Sequence, residues 1–178
     1  MTKIIVTEFV TLDGVAQDPH KWSFPYWNDR IQKFKENELA ASGAMLLGRK
    51  TYEAFAEAWP GRTGDFADRF NSLPKLVASR SLKSCTWGPC TLLAGPLADA
   101  LGEAKQSVSG AIYVHGSVAL SQELSRQGLI DEYHLLTYPI VVGEGQRLFG
   151  EGQKAEFELI SAEDLGSGVV AQKYRVKR

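Results

Sequence analysis

The chain has 178 residues, 44% hydrophobic and 23% charged, with a formal net charge of −1. That length buries a sizeable core without disulfides or metal, and a single domain over residues 1–178 is the expectation. So small a charge gives no general field to attract nucleic acid or an anionic membrane, and no apolar run approaches a membrane span. The opening residues carry no signal-peptide pattern, so a cytoplasmic location is expected. The two cysteines, Cys85 and Cys90, lie in "SCTWGPC" and the three histidines are scattered, which matches none of the usual zinc spacings. No metal is expected, and the thiols are expected to be reduced.

In chain order, "KIIVTEFV" (3–10) reads as a strand continuous enough in apolar residues to be central. A long loop, "TLDGVAQDPHKWSFPYW", follows, broken by glycine and proline. A helix is predicted from about Asn28 to Ala41, with Trp27, Ile31 and Phe34 at helical spacing. "AMLL" is a second strand, which passes through "GRKT" into a helix striped by Tyr52, Phe55, Ala56 and Trp59 and ended by Pro60 and Gly61. "DFADRFNSL" reads as a short helix, "PKLVAS" and "TLLA" as the third and fourth strands, and "PLADALGEAKQSV" as a helix with Pro96 in its first turn. "AIYVHG" is a fifth strand that leads into "SVALSQELSRQG", a helix with Ser117 as N-cap and Gly128 as its stop. Three strands close the chain, "EYHLLTYPIVV", "AEFELISAEDL" and "GVVAQKYRVK", the last two a hairpin through "GSG". Such alternation predicts an α/β fold: a mostly parallel sheet covered on both faces, with an antiparallel edge.

In open α/β sheets, ligands bind where strands hand over to helices. Three such ends carry suitable residues. Gly48 permits close approach, Arg49 offers a guanidinium fork, and Thr51 lies in a first helical turn whose free N–H groups attract anions. Ser79, Arg80 and Ser81 supply two hydroxyls and a guanidinium, a natural pocket for a phosphomonoester. Gly116 and Ser117 open a helix whose N-terminus suits a pyrophosphate, and His115 is a possible acid. Each set also has a plain structural reading as turn or helix start. A Rossmann fingerprint fails, because "GEGQRLFG" has Leu148 where the last glycine is needed; "GRKT" is no P-loop, and "GSVAL" no nucleophile elbow.

With these ends assembled, the chain resembles the dihydrofolate-reductase-like superfamily, and within it the reductase domain of bacterial riboflavin biosynthesis, the RibD C-terminal family. The resemblance rests on "TLDGVA", "MLLGRKTYEAF", "PKLVASRSL" and "IYVHGSVALSQEL", and most specifically on "GLIDEYHLLTYPIVVGEGQRLF". It implies an eight-stranded mixed sheet with NADPH across the carboxyl ends of the strands. Arg49 and Thr51, beside Gly48, would hold cofactor phosphate, and Ser79, Arg80 and Ser81 the 2′-phosphate. Gly116, Ser117 and Val118 would meet the pyrophosphate, and Asp13 and Gly14 would lie beside the nicotinamide. The implied substrate is a small nitrogen heterocycle such as 5-amino-6-(5-phosphoribosylamino)uracil, and the implied assembly is a homodimer. Asp13, Asp29, His115 or water would deliver the proton. Two readings compete. Dihydrofolate reductases carry a carboxylate near the start of the first helix, where Trp27 stands here and Asp29 is offset. A nucleotide-binding dimer without turnover is the other. The deaminase motifs that usually accompany this reductase, H-x-E and P-C-x-x-C, do not occur.

Overall fold

The first strand, β1 (Ile4–Thr11), is buried along almost its whole length, as a run of apolar residues requires of a strand covered on both faces. It lies within an eight-stranded sheet. The computed structural model describes residues 2–178. The remaining strands are β2 (Ser42–Gly48), β3 (Lys75–Ala78), β4 (Cys90–Leu93), β5 (Ala111–His115), β6 (Glu132–Tyr138), β7 (Phe157–Asp164) and β8 (Val170–Val176). Among the described residues five α-helices connect them: α1 (Asp29–Ala41), α2 (Arg49–Ala58), α3 (Asp65–Ser72), α4 (Leu97–Ser107) and α5 (Val118–Arg126). The strand order is β4-β3-β2-β5-β1-β6-β8-β7, with β1 to β6 parallel and β8 antiparallel to both its neighbours. The fold is therefore the mixed, mostly parallel α/β architecture the alternation predicts, with its antiparallel hairpin at one edge.

Strand alternation divides the side chains between two layers. Ile4, Val6 and Val10 join Ile112, Val114, Leu101 and Leu124 in the layer under α4 and α5. On the other face, Ile31 and Phe34 of α1 pack on Leu136 and Tyr138, while Tyr52 of α2 and Phe70 of α3 pack on Met45, Leu47 and Val77. The long loop after β1 closes the α1 side: Trp22 and Tyr26 both lie edge-on to Tyr138, at 5.3 and 5.7 Å between ring centroids. Among the described residues no helix is long and apolar enough to cross a membrane.

Two local expectations are corrected. Ser117 occupies the N-cap position of α5, but it is left-handed (φ 63°) and its side chain makes no cap bond. At the other end Gly128 (φ 65°) stops the helix as read: its N–H donates to Ser125 O and that of Leu129 to Leu124 O, the paired bonds of a Schellman turn. The second correction concerns Cys85 and Cys90, which are joined in a disulfide rather than reduced. The loop between them folds back because the Tyr52 hydroxyl accepts the N–H groups of Thr86 and Trp87.

Candidate active site

The chain leaves β2 through α2 towards β3, on one side of the sheet, and leaves β5 through α5 towards β6, on the other. Because β2 and β5 are neighbours, the strand order reverses between them, and a crevice opens at their carboxyl ends. The helices that start there lie on opposite faces, so the two N-termini flank the crevice.

The starts of these helices are locked together. The Gly48 amide donates to Ser117 Oγ at 2.9 Å, which is where the hydroxyl expected to cap α5 has gone. A β-carbon on Gly116 (φ 58°) would lie 3.2 Å from Thr51 Cγ2, so glycine is required there by both backbone and space. Neither helix has a side-chain cap or an acid in its first turn, which leaves the first N–H groups of both free for an anion. Arg49 and Lys50 are exposed beside them, and Arg49 leans on Glu53 in a surface pair at 3.0 Å that a ligand displaces at little cost. Gly48, Arg49, Thr51, Gly116, Ser117 and Val118 are thus brought together.

Ser79, Arg80 and Ser81 follow β3, whose Ala78 pairs with Gly48. Ser79 Oγ accepts from the amides of Ser81 and Leu82 at 3.2 and 3.0 Å and so shapes the loop. Arg80 is exposed, and its charge adds to the hydrogen bonds from Arg126 and Gln127 that hold Glu123 of α5 below the usual carboxylate range. A cation, two hydroxyls and the crevice therefore lie on one rim.

The Asp13 loop is pinned from the opposite end of the chain. Asp13 accepts the Thr11 hydroxyl at 2.6 Å and the Gly143 amide at 2.9 Å, while Arg147 Nε donates to its carbonyl at 2.9 Å. The Thr11 hydrogen bond, ahead of those from Gly143 and Val142, holds the Asp13 carboxyl below its usual range. The two most distinctive sequence motifs, "TLDGVA" and "PIVVGEGQRLF", are thus one structural unit with Gly14 (φ 80°) at its turn. Asp29 stands apart, exposed in the first turn of α1, where Asn28 is the residue that caps, accepting from Arg30 and Ile31 at 2.9 and 3.1 Å. Trp27, 41% exposed, and Phe9 form an open aromatic wall, 6.3 Å between centroids, with the Lys35 ammonium 5.6 Å above the Phe9 ring.

Sequence reasoning named His115 but missed the other buried polar groups of this region, Glu8, Glu38 and His134. Glu38 of α1 accepts from Thr7 Oγ1 at 2.8 Å and Lys35 Nζ at 2.5 Å, and pairs with His134 Nδ1 at 2.7 Å. Burial pushes Glu38 upward, but the Lys35 charge and the His134 contact outweigh it and hold the carboxyl at about 2. His115, by contrast, is neutral: burial, aided by Lys35, brings it down to about 3, and its Nε2 has no partner. Glu8, buried on the other face, is pushed up to about 8 by burial, partly opposed by Lys35. The available signal was a Thr-Glu pair inside an otherwise apolar strand, "IIVTEFV".

Comparison with known proteins bears on the fold and the family. A protein of Shewanella sp. PV-4 named for riboflavin biosynthesis superposes with a TM-score of 0.83 at 23% identity, over 99% of this chain and 100% of that one. Acinetobacter baumannii RibD matches with a TM-score of 0.74 at 17% identity, over 99% of this chain and 58% of its own length. Dihydrofolate reductase from Enterococcus faecalis matches with a TM-score of 0.65 at 14% identity, over 99% and 97% of the two chains. These likenesses show a dihydrofolate-reductase-like fold. The uncharacterized protein YyaP of Bacillus subtilis (strain 168) is 24% identical over 177 residues, 94% of this chain and 92% of its own. The RibD C-terminal domain family matches residues 2–171, and the chain belongs to that family.

Proposed function

We propose that the chain is an NADPH-dependent reductase that delivers hydride to a C=N or C=O centre of a nitrogen heterocycle, of the 5-amino-6-(5-phosphoribosylamino)uracil type. The observation that carries this reading is the pair of uncapped helix starts, joined by Gly48 and Ser117 at the switch point. They fit a pyrophosphate: free N–H groups face the crevice, no acid stands in either first turn, and Gly116 leaves open the space a β-carbon would take from Thr51.

In this reading Arg49, Thr51, Gly116, Ser117 and Val118 hold the pyrophosphate, and Ser79, Arg80 and Ser81 hold the 2′-phosphate. NADPH supplies the hydride, so the protein needs no nucleophile. The Asp13–Gly14 loop borders the reacting ring and is kept rigid by Gly143 and Arg147. Trp27 and Phe9 stack on the flat substrate and exclude water from one side. Asp13 is engaged as an acceptor, and His115 is neutral and buried, so the proton comes from solvent. Asp29, exposed and unpaired among the described residues, complements the helix dipole rather than gripping a pteridine, which favours the pyrimidine over dihydrofolate.

The exposed edge formed by β7 and β8 carries Leu159, Ile160 and Val170, Leu159 at 54% exposure. A second copy of the chain covering this edge makes the working unit a cytoplasmic homodimer. Light scattering reads this directly: Leu159→Lys converts a dimer to monomer. Activity is tested by following consumption of NADPH with the phosphoribosylaminouracil and with dihydrofolate. Turnover of the first and not the second is expected; turnover of dihydrofolate alone overturns the assignment.

A further inference from the structure

The "SCTWGPC" motif, whose two cysteines are joined, takes no part in the site, but the sheet places it beside one. β3 and β4 are parallel neighbours, with Lys75 level with Cys90 and Ala78 level with Leu93, and β4 is an edge strand. The chain must therefore return from the carboxyl end of β3, at the crevice, to the amino end of β4. Residues 79–89 make that return without a helix.

This return segment carries Ser79, Arg80 and Ser81 at its start and the ring closed by Cys85 and Cys90 at its finish. Its anchors are few. Ser79 Oγ shapes the first turn. The Tyr52 hydroxyl accepts the Thr86 and Trp87 amides at 2.9 and 3.1 Å, Trp87 Nε1 donates to Asn71 Oδ1 at 2.8 Å, and Pro89 O accepts the Lys75 amide at 2.8 Å. All but the first of these fall within the disulfide ring. Tyr52 belongs to α2 and follows Thr51, so the ring ties the segment to a helix whose start faces the crevice. Cys85 and Cys90 are both half-buried, within reach of solvent, while Trp87 between them is buried.

The inference rests on the NADPH reading. We propose that the Cys85–Cys90 disulfide is a redox clasp that sets the cofactor preference. Closed, it holds the return segment on Tyr52 and so keeps Ser79, Arg80 and Ser81 at the rim of the crevice; opened, it lets them move away. In the cytoplasm proposed for this chain thiols are normally kept reduced, so a disulfide there responds to the redox state rather than acting as a permanent staple. A dithiol reductant opens it in two steps. Its thiolate attacks one sulfur, which breaks the Cys85–Cys90 bond and forms a mixed disulfide, and its second thiol then displaces the remaining cysteine. Two electrons and two protons reach Cys85 and Cys90, which become thiols, and the reductant leaves as its own disulfide. The ladder between β3 and β4 is made by backbone groups, so opening loosens the segment and leaves the sheet in place.

The test compares three forms: the wild type as the disulfide, the wild type reduced with dithiothreitol, and the double variant Cys85→Ser with Cys90→Ser. Thiol titration verifies each redox state and far-UV circular dichroism the fold. In fluorescence titrations, reduction should weaken NADPH binding about tenfold, the loss of one charge-assisted contact, and leave NADH nearly unchanged. The double variant should match the reduced form and ignore dithiothreitol. A second readout needs no nucleotide: trypsin should cut after the exposed Arg80 and Lys83 severalfold faster in the double variant than in the disulfide form. The proposal is overturned if the preference for NADPH over NADH is the same in all three forms, or if reduction weakens both nucleotides equally, which marks a general loosening of the fold. Failure of the disulfide form to bind either nucleotide instead overturns the NADPH reading, and the cleavage rates then decide by themselves whether the disulfide clasps the segment.

Discussion

Gly48 and Ser117, 69 positions apart in sequence, are joined by a 2.9 Å hydrogen bond from the Gly48 amide to the Ser117 hydroxyl. This bond fixes the ends of β2 and β5 to each other and keeps the Ser117 hydroxyl off the amides of α5. Ser117→Ala leaves the half-buried Gly48 amide without its partner, at a cost of about 1–2 kcal/mol. Urea denaturation should register that loss, and NADPH titration should show weakening of about tenfold. An unchanged midpoint together with unchanged affinity would mean the bond organises nothing.

Gly116 is held at φ 58° with Thr51 Cγ2 3.2 Å from the place of a β-carbon. Gly116→Ala should destabilise the fold by about 1–2 kcal/mol from the backbone alone, plus the clash. Adding Thr51→Ser removes the offending methyl and should recover part of the loss. A double-mutant cycle in urea measures that coupling, expected at about 0.5 kcal/mol or more. Strict additivity would place the two residues out of contact.

The Glu38 network predicts acid sensitivity. Held at about 2 against an ordinary 4.5, Glu38 contributes stability that is fully present above pH 4.5 and is lost as the pH falls towards 2. Glu38→Gln breaks a buried ion pair and should cost about 3–5 kcal/mol at neutral pH, with the gap to wild type narrowing in acid. Thermal melts across that range follow it; a pH-independent gap contradicts the assignment.

Glu8 has the opposite sign. The folded protein keeps a proton that the unfolded chain releases between pH 4.5 and about 8, so wild-type stability falls as the pH rises through that window. Glu8→Gln removes this dependence and should be more stable than wild type at pH 8, by about 4 kcal/mol if the whole shift is realised, and no better at pH 4.5. Urea midpoints at the two pH values decide it.

Local patterns carried much of the fold. The apolar run of β1, the stripe of α2 and the Gly128 stop of α5 all follow from nearest-neighbour chemistry. Pairings over long separations did not show. Asp13 meets Gly143 across 130 positions and His134 meets Glu38 across 96, and neither register is encoded within either segment alone. Lys35 and Glu38 have the spacing of an ordinary surface helix pair, so only packing against β1 and β6 reveals them as buried. Ser117 had the composition of a cap but a backbone that turns its hydroxyl elsewhere, a consequence of following Gly116 in the left-handed region. The Cys85–Cys90 pairing likewise depends on the Tyr52 hydroxyl that folds the intervening loop.

The measurement closest to the central claim is titration of the purified protein with NADPH and NADH by fluorescence, with Arg80→Ala alongside. In the proposed reading Arg80, exposed on the rim, is the cation that would distinguish a 2′-phosphate from a hydroxyl. Its removal should weaken NADPH binding by about 1.5–3 kcal/mol, at least tenfold, and leave NADH nearly unchanged. Equal loss of both nucleotides, or no binding of either to the wild type, would contradict the account.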